Sequence, residues 1–249
     1  MPARCRAGAD NHLMARYDQI ADFYIGVVGD DVTDPATAAL IELAGSVRGR
    51  RVLDLACGHG RVTRELARRG GRLVGLDSSA DLLRAARGAE AADPFGIEYR
   101  LANAADFEAL TGETFDVVVC NFGLSDIDDL SGVIGTVERV LRPGGSFVWS
   151  VLHPCFPGWD ADAPSSWGPN GYFDEGWWLA GNPGFRGRVG ANHRMLSTYL
   201  NEMIGHGLVI ERTVEPLPDE GWADRWPEGV PVPVYLVVRC QRPIVTGAA

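Results

Sequence analysis

The run Val52-Leu53-Asp54-Leu55-Ala56-Cys57-Gly58-His59-Gly60-Arg61 holds the residues of this chain best placed to do ligand chemistry. Apolar positions lead into two glycines, and a helix-forming stretch begins at Arg61. Glycines at 58 and 60 let the backbone turn tightly and bring peptide groups close to a ligand. A Gly-x-Gly pair alone has little specificity. Asp54, four positions before the first glycine, adds the discriminating charge. A dinucleotide sets its pyrophosphate on such a turn, where an adjacent carboxylate repels it. Thr63 also stands where the third Gly or Ala of the dinucleotide pattern belongs. S-adenosylmethionine has no phosphate and carries a cationic amine and a sulfonium, so the same carboxylate suits it. Seventeen residues past Gly60, Asp77 closes a second apolar run. An acid there can accept both hydroxyl protons of an adenosine ribose. Its competing role, capping the next helix, falls to Ser78 or Ser79.

These residues need a scaffold that brings strand ends together. Apolar runs at Arg51–Leu55, Leu73–Leu76, Ile97–Leu101, Phe115–Cys120 and Ser146–Leu152 alternate with helix-period segments near 61–69, 80–87 and 130–141. Continuous apolar strands separated by helices predict a doubly wound α/β fold, a parallel sheet covered on both faces with ligands at its carboxyl edge. Residues 1–50 predict a helical lead-in with Tyr17, Ile20, Phe23 and Tyr24 as its apolar face. A helix follows over Pro35–Ala44, capped by Thr33 or Asp34 with Pro35 in its first position. Residues 153–195 break the rhythm, with thirteen Gly or Pro between 154 and 190, too many for regular elements. The same stretch carries Trp159, Trp167, Trp177 and Trp178 with Phe156, Tyr172, Phe173 and Phe185, so an ordered lid is expected rather than a linker. A helix near Leu196–His206 and strands near Leu208–Val214 and Val232–Cys240 close the chain. With no crossover helix between them, the two strands should lie antiparallel at a sheet edge.

Composition narrows the chemistry. Of 249 residues 33 are acidic and 23 basic, a net charge of −10, and every basic residue is Arg. Without lysine there is no Schiff-base chemistry and no P-loop. The acidic balance argues against a nucleic-acid partner, which needs a basic face. No window approaches the run of about 20 apolar residues that spans a bilayer. Met1–Asp10 is polar and lacks a signal peptide's apolar core, so a cytoplasmic location is expected. Five cysteines (Cys5, Cys57, Cys120, Cys155, Cys240) form no CxxC pair, and the histidines no HExxH pattern, so no metal is expected.

Taken in order, Asp54-Leu-Ala-Cys-Gly58-His-Gly60, Asp77, Leu101-Ala-Asn103-Ala104-Ala-Asp106, Phe115-Asp116-Val-Val-Val-Cys-Asn121 and Leu141-Arg-Pro143-Gly144-Gly145 resemble the class I S-adenosylmethionine-dependent methyltransferases. The resemblance is good over roughly 50–152 and weaker beyond. It implies a seven-stranded, mostly parallel sheet with an antiparallel edge hairpin. One domain would span 1–249: a helical lid (1–50), a cofactor-binding core (51–152), a substrate-lid insert after the fifth strand (153–195), and a closing helix and edge strands (196–249). It further implies that Asp54 and Gly58 hold the amino-acid end of S-adenosylmethionine and Asp77 its ribose, with Ala56, Gly60 and Ser78 also among the cofactor-binding residues. Asn103 and Ala104 would border the adenine, with Asn103 standing where many relatives have Asp, and the backbone at Asn121 would meet the methionyl amine. The lead-in Ala15–Tyr24 resembles the family's cofactor-covering segment, so Tyr17 or Tyr24 would contact the cofactor. Plain packing of these aromatics is the competing reading.

Methyl transfer from a sulfonium is an in-line displacement, for which the protein supplies alignment and exclusion of water. A hydroxyl acceptor also needs a base, worth about 10²–10⁴-fold. His153, just past the fifth strand, is the first candidate, against the alternative of a backbone-bonded strand-end histidine. His193, at the end of the insert, is the second. Asp126, Asp128 and Asp129 follow the fourth strand. They could gather a divalent ion, but capping of the next helix, aided by Ser131, is the expected role, with Asp126 facing the substrate. The aromatic insert points to a small, flat, aromatic or heterocyclic acceptor of natural-product type, in a monomer or homodimer. Two other readings stay open: an NAD(P)-dependent oxidoreductase, for which no Tyr-x-x-x-Lys pair is present, and a non-catalytic S-adenosylmethionine binder.

Overall fold

The computed structural model describes residues 15–156, 171–180, 184, 186–218 and 232–244. Their frame is a seven-stranded sheet made of β1 (Arg51–Leu55), β2 (Arg72–Asp77), β3 (Glu98–Leu101), β4 (Phe115–Asn121), β5 (Leu141–Leu152), β8 (Val209–Val214) and β9 (Tyr235–Gln241). The strand order is β3-β2-β1-β4-β5-β9-β8. The first five run parallel. β9 pairs antiparallel with β5 and β8, so the last two strands lie antiparallel at the sheet edge as expected. The order reverses between β1 and β4, so their carboxyl ends open a crevice, where ligands of doubly wound sheets bind.

Alternation along the strands divides the core into two layers. On β1, Val52 faces a layer with Leu40 and Ile41 of α2 (Pro35–Ala44), Val62 and Leu66 of α3 (Arg61–Arg68) and Leu83 of α4 (Ala80–Ala92). Leu53 and Leu55 face the other layer, with Val133, Ile134 and Val137 of α5 (Leu130–Val140) and Tyr199 and Met203 of α7 (Leu196–Gly205). Asp54 shares the face of Val52 by the two-residue period, so the fold carries this carboxylate inside, beside α3.

Local chemistry explains the helix starts. Asp34, rather than Thr33, caps α2, accepting the Thr37 amide at 2.9 Å ahead of Pro35. Ser79 caps α4 through Leu82, and Asp129, one of the acids expected to cap the next helix, caps α5 through Gly132. Gly60 caps α3 at φ +83°, and a Cβ there would lie 2.4 Å from the Tyr99 hydroxyl, so both conformation and space demand glycine.

Three expectations need correction. β5 begins at Leu141 rather than Ser146, because Leu141 still pairs with Phe115 before a register shift leads into the regular ladder at Ser146. Second, the stretch after β5 does hold regular elements. Strands β6 (Gly176–Trp178) and β7 (Ala191–His193) pair antiparallel around α6 (Arg186–Val189), because glycines need only bound short segments, not fill them. Third, the lead-in is a 3₁₀ turn at Asp18–Ile20 followed by α1 (Ala21–Val28), of which only Ile20 and Ala21 are buried. Its aromatics Tyr17 and Tyr24 stay half-buried over the crevice. Cys5, Trp159, Trp167 and Phe185 lie outside the described residues.

Candidate active site

The crevice at the β1/β4 switch holds a cavity of about 500 Å³, within the roughly 300–1,000 Å³ of small-molecule sites. Its floor is built by the two central loops. Ala56 and Phe122, the residues just past β1 and β4, both adopt the left-handed conformation, at φ +53° and +59°. Backbone strain of this kind concentrates at ligand sites. The loops also touch: a Cβ on Gly123 would sit 2.5 Å from the Cβ of Ala56.

Asp77 ties the floor together. One carboxylate oxygen accepts the Gly58 amide and the other the Ser79 amide, each at 2.8 Å. Asp54 is 1% exposed and accepts the Thr63 hydroxyl at 2.6 Å. That bond gives Thr63 a structural reason to replace the third glycine of a dinucleotide turn. Burial pushes Asp54 up to about 7, the charge of Asp77 adding to it, and pushes Asp77 up to about 6. Among the described residues neither acid has an ion-pair partner. The cation that acts on Asp54, Arg61, is paired with Asp34, so the two buried carboxylates form a site that a cationic ligand would complete.

Asn121 is held at the β4 end from both sides, donating to Thr37 of α2 at 3.0 Å and accepting from Ser150 of β5 at 2.7 Å. Opposite, Asn103 lines the cavity and turns its loop by accepting the Ala105 amide at 3.0 Å. Tyr17 and Tyr24 close the roof, packed edge to face with ring centres 5.0 Å apart. Burial beside Asp126 pushes the Tyr24 phenol up to about 12, so both tyrosines stay neutral hydrogen-bonding groups. Asp126, Ile127, Asp128 and Asp129 form one wall, which Val189 of α6 adjoins.

Of the residues singled out in the sequence, Tyr17, Tyr24, Ala56, Gly58, Asp77, Ser78, Asn103, Asn121 and Asp126 therefore line one cavity. Asp54 and Gly60 lie behind its floor, and Ala104 packs into the core instead. The two histidines are placed elsewhere, beside a small cavity of about 40 Å³ between β5 and β7. His153 accepts the Cys155 amide on Nδ1 at 3.1 Å, and its Nε2 lies 3.1 Å from Glu215. Nδ1 is thus engaged, whereas Nε2 is buried and, for all its closeness to Glu215, makes no hydrogen bond among the described residues. Burial holds the His153 pKa below the ordinary histidine value against the pull of Glu215. His193 faces the Tyr172 carbonyl through Nε2 at 2.8 Å. The strand-end rule located His153 correctly along the chain but could not tell which way the ring points.

The insert also contributes differently from expectation. Phe156 is fully buried in the core, Phe173 and Trp177 are exposed, and Trp178 lines the small cavity. Among the described residues, the aromatics of the main cavity are Tyr17, Tyr24 and Phe122. Arg186 had no signal in the sequence. It pairs with Asp126 and donates to the Gly190 carbonyl at 3.0 Å and the Ser125 hydroxyl at 3.3 Å. Asp128 bonds Arg16 and Asn192, and Asp129 is taken up as a helix cap. Among the described residues no cluster of three His, Cys, Asp or Glu side chains has the arrangement of a metal site. No helix there is long and apolar enough to cross a membrane.

Residues 53–149 match a family described as a methyltransferase domain. A ubiquinone biosynthesis O-methyltransferase of Hahella chejuensis is 31% identical over 120 residues, covering 48% of this chain and 50% of that protein. The chain thus spans about half the length of the curated relatives it matches. An S-adenosylmethionine-dependent methyltransferase structure from Mesorhizobium loti superposes with a TM-score of 0.67 at 28% identity, covering 84% of this chain and 99% of that one. The 1,6-didemethyltoxoflavin-N1-methyltransferase of Burkholderia thailandensis, solved with 1,6-didemethyltoxoflavin and S-adenosylhomocysteine, shares the fold at a TM-score of 0.62 and 17% identity, covering 97% and 94%.

Proposed function

We propose that this chain, whose residues 53–149 match a methyltransferase domain, is a class I S-adenosylmethionine-dependent methyltransferase of a small, flat, partly apolar acceptor. One observation carries the reading: Asp54 and Asp77 are buried at a glycine turn, with no ion-pair partner among the described residues, beneath a cavity roofed by two tyrosines. S-adenosylmethionine supplies an activated methyl group with a neutral leaving group. Asp77 and the Gly58 turn would hold its ribose and amino-acid end, with Asp54 offsetting its positive charge from behind. Ala56, Ser78 and Asn121 would complete that end, and Asn103 would meet the adenine. Tyr17, Tyr24 and Phe122 present apolar faces that exclude water and sandwich a planar acceptor. Asp126 is the acid of the cavity wall placed to orient the acceptor or take its proton, whereas His153 and His193 open on the smaller chamber. An O-methyl acceptor of the kind used in ubiquinone biosynthesis and a ring nitrogen of a heterocycle both fit such a cavity.

Thermal unfolding with S-adenosylmethionine, S-adenosylhomocysteine and NADPH in parallel tests the donor. A ligand at a hundred times its Kd adds about 2.7 kcal/mol, an evident rise in Tm. A rise with the first two, lost in Asp77→Ala, is expected. A rise with NADPH alone would overturn the proposal. Release of S-adenosylhomocysteine with a panel of phenols and N-heterocycles then separates an enzyme from a mere binder.

A further inference from the structure

Two carboxylates of the loop after β4 are each shared between the same two distant segments. Asp126 accepts the Tyr17 hydroxyl on one oxygen at 3.0 Å and the Arg186 guanidinium on the other. Asp128, two residues on, accepts from Arg16 at 2.6 and 2.7 Å and from Asn192 at 2.9 Å. Arg16 and Tyr17 belong to the lead-in that roofs the cavity, and Arg186 and Asn192 to the segment after β5. The segments also touch directly, with Arg188 stacked 4.2 Å over the Phe23 ring and Arg16 5.8 Å over Trp177.

We infer that Asp126 and Asp128 form a double clasp joining roof and insert into one cover, with Arg186 as the positioning residue that fastens it. The burial of the two pairs decides which matters more. Arg16 and Asp128 have side chains 37% and 66% exposed, and such surface pairs contribute about 0–1 kcal/mol. Arg186 and Asp126 are 14% and 22% exposed, so breaking this largely desolvated pair costs more than breaking the surface one. Arg186 also ties Asp126 to Gly190 and Ser125, so it fixes the carboxylate to which Tyr17 bonds. Ligand leaving from beneath Tyr17 must wait for this pair to part. The insert therefore governs how long the cofactor stays, although of its described residues only Val189 lines the cavity.

The effect on residence time rests on the proposed donor; the clasp itself does not. S-adenosylhomocysteine dissociation from the full chain is measured by chasing labelled ligand in wild type, Arg186→Gln, Asp126→Asn and the double variant. Each single change should speed dissociation about tenfold, the factor equal to about 1.4 kcal/mol, with association almost unchanged. Arg186→Lys should restore part of the loss. The double variant should be no faster than the singles, since both break one interaction. Unchanged dissociation in Arg186→Gln, or additive effects, would overturn the inference. Hydrogen exchange of the ligand-free proteins gives the independent readout: protection at Ala15–Val28 should fall in Arg186→Gln and in the isosteric Asp126→Asn. If the wild type bound no S-adenosylhomocysteine, the functional reading would fail while this exchange result still decided the clasp.

Discussion

Asp54 and Asp77 put the site's electrostatics into two side chains and give it a pH signature. An unfolded aspartate titrates near 3.9, whereas these two titrate at about 7 and about 6. Between pH 4 and 7 the folded protein keeps protons that the unfolded chain has released, so this part of its stability is full at low pH and lost as pH rises through 7. Asp54→Asn, which keeps an acceptor for Thr63, should therefore raise the urea midpoint of the ligand-free protein at pH 8 and leave it unchanged at pH 4. The same variant should weaken S-adenosylmethionine roughly ten- to a hundredfold, since it removes the charge that a cationic ligand offsets. In the wild type, affinity should climb from pH 6 to 8 with proton release, measurable by calorimetry in buffers of different ionisation enthalpy. Absence of proton release near pH 6.5 would separate these carboxylates from the binding site. These acids were legible in the sequence because their signal is local, a charge at a fixed step from a glycine turn or a strand end. Arg186 was not, because nothing near it in the chain marks a contact sixty residues away with Asp126.

At the scale of elements, the site depends on two loops crossing in little space. Gly123→Ala would drive a methyl to 2.5 Å from the Ala56 Cβ and 2.8 Å from the Cys120 sulfur. Overpacking of this kind costs about 1–3 kcal/mol, read as a lower denaturant midpoint. Adding Ala56→Gly removes the opposing methyl and suits φ +53°, so the double variant should recover much of that loss; simple additivity would refute the loop contact. Neither loop conformation could be read in advance, since left-handed backbone at Ala and Phe is set by the close contact of the loops leaving the neighbouring parallel strands β1 and β4. The strands themselves were legible wherever apolar residues ran together, as in β1 and β4. They were hidden where glycine and proline interrupt pairing, as at Arg142–Gly145 in β5, or where a strand has three residues, as in β6 and β7. Three residues cannot display a period.

The whole molecule adds a field. With 33 acidic against 23 basic residues, and with Asp77, Asp126, Asp128 and Asp129 lining one cavity over Asp54 against Arg16 and the Arg186 paired to Asp126, acids outnumber bases around the cavity and should give it a net negative field. A concave acidic site raises the encounter rate of cations and does so less as salt screens it, the screening length falling from about 30 Å at 0.01 M to about 8 Å at 0.15 M. S-adenosylmethionine carries one positive charge more than S-adenosylhomocysteine, and otherwise the two differ by a methyl group. The association rate of S-adenosylmethionine should therefore drop several-fold between 10 and 500 mM salt, while that of S-adenosylhomocysteine stays nearly flat. Dissociation, set by contacts and by the Asp126–Arg186 pair shielded from solvent, should respond weakly for both. Equal salt dependence for the two ligands would mean that the wall acids are neutralised by their arginine partners as seen from outside. The buried pair of Asp54 and Asp77 would then act only at contact, after the ligand has passed beneath the tyrosines.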